Sequence, residues 1–187
     1  MLRDRIEPGV RALFVGINPG MRSDAIGHHF AGFSNRFWKL LYDARLVPVP
    51  IRAEDDDRLP AWGFGITNLV ARATPGMDGL KPAEYLAGAR VLRRKIRRFK
   101  PPIVVLIGVT VFRSLFAKTG PVRVGLQRER LEGARVFVLP NPSGRNANFS
   151  YVEMLESFRS LRRTLARFPG TAAITTRKPI EGLRAEG

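Results

Sequence analysis

Five consecutive apolar residues, Ile103-Val104-Val105-Leu106-Ile107, stand between Pro101-Pro102 and Gly108. The run is too short for a buried helix and has no polar alternation. It has the pattern of a strand buried on both faces. Such a strand needs helices above and below it, and parallel neighbours joined by crossovers. Residues 11–17 (Arg11 and then Ala12-Leu13-Phe14-Val15-Gly16-Ile17) and 135–139 are of the same kind, and Phe64 to Thr67 is a shorter piece ending at Asn68.

Helical spacing lies between these strands. Residues 35–42 carry Phe37, Trp38, Leu40 and Leu41. Pro82 suits a first helical position, and a helix over 82–98 would place Leu86, Ala89, Leu92, Ile96 and Phe99 on one face. Residues 110–116 form a short helix, and 151–168 a last one with Val152, Leu155, Phe158, Leu161 and Leu165 inward. Residues 20–34 and 47–61 read as loops, with Glu54-Asp55-Asp56-Asp57 solvated. Four strands alternating with four helices give an α/β fold: a three-layer α/β/α sandwich on a central four-stranded, mostly parallel sheet. Residues 1–168 form one domain, and 169–187 read as a flexible tail.

Ligands on such sheets bind beyond the carboxyl ends of the strands. Asn18, Asn68, Gly108 and Asn141 each follow a strand directly and should share that rim.

Charge narrows the ligand. The net charge is +16, with a pI of about 11.5. Residues 85–128 hold eleven Lys and Arg and no acid. This favours a polyanionic partner, nucleic acid or an anionic surface, over a merely solvated face. Without cysteine there is no disulfide, thiolate nucleophile or cysteine-held metal. His28 and His29 are adjacent, so their side chains diverge and make a poor metal pair. No cofactor or metal is expected. No run is long enough to span a bilayer and no signal peptide is visible, so an intracellular protein is expected.

Four segments could carry chemistry, and one of them, Gly65-Ile66-Thr67-Asn68-Leu69-Val70 followed by Arg72-Ala73-Thr74-Pro75-Gly76, adds polar side chains at the same rim. In Gly16-Ile17-Asn18-Pro19-Gly20, Pro19 stiffens the backbone at Asn18, and the glycines permit close approach of a ligand. The pentapeptide alone is equally an ordinary turn. In Asn141-Pro142-Ser143-Gly144-Arg145-Asn146, Ser143 and Gly144 suit a phosphate, and Arg145 can enter a duplex; a plain surface loop is the alternative. Phe30, after His28-His29, can stack on a base or belong to the core.

Together these segments, with Asn35-Arg36-Phe37-Trp38-Lys39, resemble the mismatch-specific uracil-DNA glycosylase and thymine-DNA glycosylase family. The resemblance spans about residues 11–168. It implies hydrolysis of the N-glycosidic bond of uracil, and of thymine or other modified pyrimidines, in mismatched double-stranded DNA by base flipping. The product is an abasic site, and the protein is expected to act as a monomer. The alternative is a non-catalytic damage-binding module on the same fold. A nucleotide-phosphate-binding protein is disfavoured, because no Gly-rich loop with a following Lys-Ser/Thr is present.

The resemblance gives Asn18 the task of holding the attacking water, with Thr74 as a second ligand of that water. It gives Gly16, Ile17, Ser23, His29, Phe30 and Asn68 to the base pocket. Asn141, Ser143, Gly144, Arg145 and Asn146 go to DNA contact, with Arg145 as the wedge that fills the vacated stack. Bacterial members commonly have Leu at the wedge. Ser23 stands where the eukaryotic thymine glycosylases have a small apolar residue, so uracil and thymine both stay open. Asp24, in the same loop, is either an assisting acid or a solvated one.

Overall fold

The computed structural model describes residues 2–168. The strands are β1 (Ala12–Gly16), β2 (Phe64–Asn68), β3 (Ile103–Ile107), β4 (Gly125–Leu131) and β5 (Ala134–Leu139). The helices are α1 (Met21–Ile26), α2 (Phe37–Asp43), α3 (Pro82–Phe99), α4 (Val109–Phe116) and α5 (Tyr151–Arg167). The order across the sheet is β2-β1-β3-β5-β4; all pairs are parallel except β4 with β5. The α/β class and the mostly parallel sheet are as expected. The strand count is five, not four. β4 reads Gly-Leu-Gln-Arg-Glu-Arg-Leu, with Leu126 and the arginines exposed at the sheet edge. It therefore lacks the apolar run that marks the buried strands.

β1 and β3 are buried at every residue, because hydrophobic layers cover both faces. On one face Phe14, Phe64, Ile103, Val105 and Phe137 meet α2 and α5. On the other, Leu13, Val15, Val104, Leu106 and Val136 meet α3 and α4. Alternate residues of one strand serve opposite layers, as the pleat requires. An aromatic cluster ties the first layer together: Phe37 lies 5.4 Å from Phe14 edge-on and 6.2 Å from Phe158. Each such pair contributes about 0.5–1.5 kcal/mol beyond its buried area.

Several expected helix details shift. Leu86 is 63% exposed and Val152 is 74% exposed. Gly88 and Met154 take the inward positions instead. A Cβ on Gly88 would come within 2.1 Å of the Leu69 carbonyl oxygen, so α3 can lie this close to the chain after β2 only with glycine there. Residues 21–26, read as loop, form α1, closed by Gly27 at φ 78°. Residues 53–62, also read as loop, form a 3₁₀ helix, and Asp56 within it is fully buried. It is not the solvated acid expected from its neighbours. Arg5 Nε donates to it at 2.9 Å, the His29 N–H donates at 2.9 Å, and His28 Nδ1 lies 3.2 Å away.

Residues preceding β1 form a strap along the β2 edge. Arg5 and Ile66 exchange main-chain hydrogen bonds at 3.0 and 2.8 Å. Lys95 binds Asp4 at 2.6 Å and Thr67 at 2.9 Å. The tail expected at 169–187 lies outside the described residues. No helix among the described residues is long and apolar enough to cross a membrane.

Candidate active site

A cavity of about 210 Å³ opens beyond the carboxyl ends of β1 and β2. Gly16, Ile17, Asn18, Ser23, Phe30, Asn68, Thr74, Asn141 and Ser143 all reach it. These are residues from four separate sequence segments, and the crossovers of a parallel sheet bring them to one rim.

The floor is a double-stranded piece of irregular backbone. Beyond the last β1–β2 pair, the Leu69 N–H donates to the Gly16 oxygen at 2.8 Å. The Val70 N–H donates to Ile17 at 2.8 Å, and the Thr74 N–H to Pro19 at 3.2 Å. The half-buried Asn18 side chain sits inside this lacing. Its Nδ2 donates to Thr74 Oγ1 at 2.6 Å, to the Arg72 oxygen at 3.1 Å and to the Pro19 oxygen at 3.2 Å. The Thr74 hydroxyl donates onward to the Gly76 oxygen at 2.7 Å. Its single proton is thereby used, so its oxygen can only accept from Asn18. This fixes the amide orientation, with Nδ2 toward Thr74 and Oδ1 as the remaining acceptor.

Arg72 holds the 70–80 loop in turn. Its guanidinium donates to both Glu84 carboxylate oxygens at 2.7 and 2.8 Å and to the Gly79 oxygen at 2.7 Å. Hydrogen bonds from Arg72 and from the Lys81 N–H lower the Glu84 pKa to about 2.

Gly16 permits the close packing of the next wall. A Cβ there would lie 2.6 Å from Asn68 Oδ1 and 3.1 Å from Phe30 Cζ. The Phe30 ring stacks on Phe37 at 4.4 Å between centroids, so one side is backed by the core. Phe30 adopts φ 50°, an unfavourable conformation for a side-chain-bearing residue that costs about 1–3 kcal/mol. Its flanks are over-determined. Ser23 Oγ accepts the Ala31 N–H at 3.0 Å, and Trp38 Nε1 donates to the His29 oxygen at 3.0 Å.

His29 itself lies elsewhere. It is 1% exposed and does not line the cavity. Its Nε2 donates to the Arg3 oxygen at 2.9 Å, securing the strap. Burial lowers its pKa, opposed by that hydrogen bond and by Asp56. The expected contact of His29 with a base is thus corrected to a supporting position behind Phe30. Asp24 belongs to the first turn of α1 and does not line the cavity.

A second hollow of about 280 Å³ adjoins the first, sharing Ile17, Ile107, Asn141 and Ser143. It is bordered by the start of α4 and by Arg145 and Asn146. The 141–148 loop is shaped by its own side chains. Asn141 Oδ1 accepts the Ser143 N–H at 3.0 Å, Ser143 Oγ accepts the Arg145 N–H at 3.3 Å, and Asn146 Nδ2 donates to the Asn141 oxygen at 2.8 Å. Gly144 presses on Ser34, where a Cβ would meet the Ser34 oxygen at 2.7 Å. It is a packing glycine and lines neither hollow. Arg145 is left exposed at the tip.

Leu2, Gly32, Asn35 and Pro75 also line the cavity, and the sequence reading gave none of them a role. Asn35 stands inside the quoted Asn35-Arg36-Phe37-Trp38 motif and could have been found there. Leu2 carries no signal without the strap. Among the described residues no group of three His, Asp or Glu side chains is placed to hold a metal ion.

Fold and cavity define an α/β domain with a neutral, amide-rich, base-sized hollow at the carboxyl rim of its sheet, in a strongly basic chain. A family model for the uracil DNA glycosylase superfamily matches residues 4–166, and the chain belongs to that superfamily. It is accordingly a DNA glycosylase, a hydrolase whose partner is DNA and whose base is uracil.

Proposed function

We propose that the cavity receives a uracil flipped out of a mismatched duplex and that Asn18 holds the water that replaces it on the sugar. The orientation of the Asn18 amide carries this reading. With Nδ2 committed to Thr74, Arg72 and Pro19, the open function is Oδ1, an acceptor that can bind a water through one of its protons. An amide is too weak a base to remove that proton early. Its contribution is positioning.

The chemistry follows from a dissociative displacement. The N1–C1′ bond breaks with its electron pair passing to uracil N1, and the sugar becomes oxocarbenium-like. The water oxygen then bonds to C1′ and its surplus proton passes to solvent. The uracil anion needs donors fixed in advance. Main-chain amides at Ile17 and Asn18 and the Asn68 side chain are the candidates. Asn68 offers both a donor and an acceptor to the uracil edge, and Phe30 stacks on its face. Thr74 holds the amide by accepting from Asn18 Nδ2, and the second lone pair of its hydroxyl oxygen can accept a proton of the same water. Arg145 fills the space left in the stack. The protein acts as a monomer with no cofactor.

The test is a panel of G·U, A·U and G·T duplexes and single-stranded uracil, with abasic sites revealed by alkali. Fastest release from G·U is expected, and the G·T arm measures the tolerance for the thymine methyl, a discrimination of about 1–3 kcal/mol. Equal release from G·U and A·U would remove the mismatch preference. Binding without release from any substrate would favour a damage-binding module.

A further inference from the structure

The loop from Phe30 to α2 carries a side chain that internal packing does not use. Phe33 is 90% exposed, the most exposed large hydrophobic residue among those described. A lone exposed aromatic is ordinary on a protein surface. Phe33 differs in its position and in what is stacked on it.

On either side of Phe33 the backbone is tied to the cavity mouth. Gly32 and Asn35 line the cavity. Ser34 abuts Gly144 of the Arg145 loop, and the Arg36 N–H donates to the Pro142 oxygen at 2.9 Å. The ring therefore projects from a fixed base, between the cavity and the 141–148 loop. Arg22 stands over it. Its Nε donates to the Ala31 oxygen at 2.8 Å, and its guanidinium carbon lies 3.9 Å from the Phe33 ring centroid. One ring face is covered by this anchored cation, and the ring is otherwise largely in solvent. A duplex delivering a nucleotide to the cavity has to cover this mouth, and the chain's net charge of +16 favours its binding.

We propose that Phe33 and Arg22 form a second DNA contact, distinct from Arg145, in which the Phe33 ring stacks on a base left unpaired or unstacked beside the extruded nucleotide. Arg22 supports the ring by a cation–π contact and brings positive charge to the adjoining backbone. Aromatic–base stacking tolerates any sequence, because every base presents a π-face. The contact thus adds affinity for opened duplex without choosing the base that is removed. The inference rests on the cavity being the base pocket.

The experiment is single-turnover uracil release from a G·U duplex as a function of protein concentration. Phe33→Ala should raise the half-saturating concentration about tenfold, in keeping with one lost base–aromatic stack. The limiting rate should stay within about threefold, since binding is affected and positioning is not. Phe33→Trp should restore the wild-type curve, and Arg22→Gln should weaken binding and flatten its dependence on salt by about one unit of log–log slope. Superimposable curves for Phe33→Ala and wild type would overturn the proposal. So would a fall in limiting rate together with the melting temperature, the mark of a structural role. Asn18→Ala, run beside them, reports separately on the pocket: if it still releases uracil at the wild-type rate, the pocket reading itself fails.

Discussion

On one side of the cleft, the turn at 16–20 is laced to the chain after β2 through the oxygens of Gly16, Ile17 and Pro19, with the Asn18 amide bonded inside the lacing. On the other side, the loop at 141–148 is held mainly by hydrogen bonds among its own residues, and it offers an exposed Arg145 to solvent. The first side is continuous with the sheet, so small displacements are resisted by the whole core. The second touches the rest of the molecule chiefly where Gly144 meets Ser34 and Pro142 meets Arg36. Rigid placement suits a residue that must hold one water at one carbon. A self-shaped, exposed loop suits one that meets a duplex of any sequence. Chemistry and binding should therefore separate when the two sides are altered independently.

After Asn18 itself, the largest effect is expected at Gly16. Gly16→Ala forces a methyl against Asn68 Oδ1 at 2.6 Å and Phe30 Cζ at 3.1 Å. Displacing either group by about an ångström should lower single-turnover release on the order of 10²-fold, while duplex affinity, measured by anisotropy, changes little. A weakened affinity with an unchanged rate would erase the contrast between the two sides. Arg145→Ala should do the reverse. Loss of the wedge should raise the half-saturating concentration by about tenfold, and it should reduce the salt slope by about one if Arg145 also meets a phosphate. The smallest effect belongs to the support behind Phe30. Burial keeps His29 neutral and its pKa below the usual range. The unfolded chain takes up that proton near pH 6.5 and the folded one only at a lower pH. Stability from this group is thus present above the first of these values and declines as the pH falls toward the second. His29→Gln removes the titration, so its denaturation midpoint, plotted from pH 7 to pH 5, should slope less than that of the wild type.

The strands that build the floor were legible because they are buried on both faces. The apolar runs of β1, β3 and β5 state it directly, and the residues just past them mark the rim. Asn18, Asn68 and Thr74 could be proposed from that logic together with the family resemblance. β4 was missed because an edge strand with arginines outward has no such run. Asp56 was misread because its three acidic neighbours suggest solvent, whereas its burial depends on Arg5, 51 residues away. Leu86 and Val152 fit the helical period yet face water, because Gly88 and Met154 occupy the contacts with the sheet layers. The donation of the Thr74 hydroxyl to the Gly76 oxygen was not foreseen either. A two-residue contact of that kind has no trace in spacing or composition.

The central claim is that Asn18 serves the water and not the DNA. Asn18→Ala, assayed for single-turnover uracil release and for G·U duplex affinity on the same preparation, tests it most directly. The rate should fall on the order of 10²–10³-fold, as when one preorganised active-site amide is removed, while the dissociation constant stays within about threefold. A loss of affinity as large as the loss of rate, or a variant that still releases uracil at the wild-type rate, would contradict it.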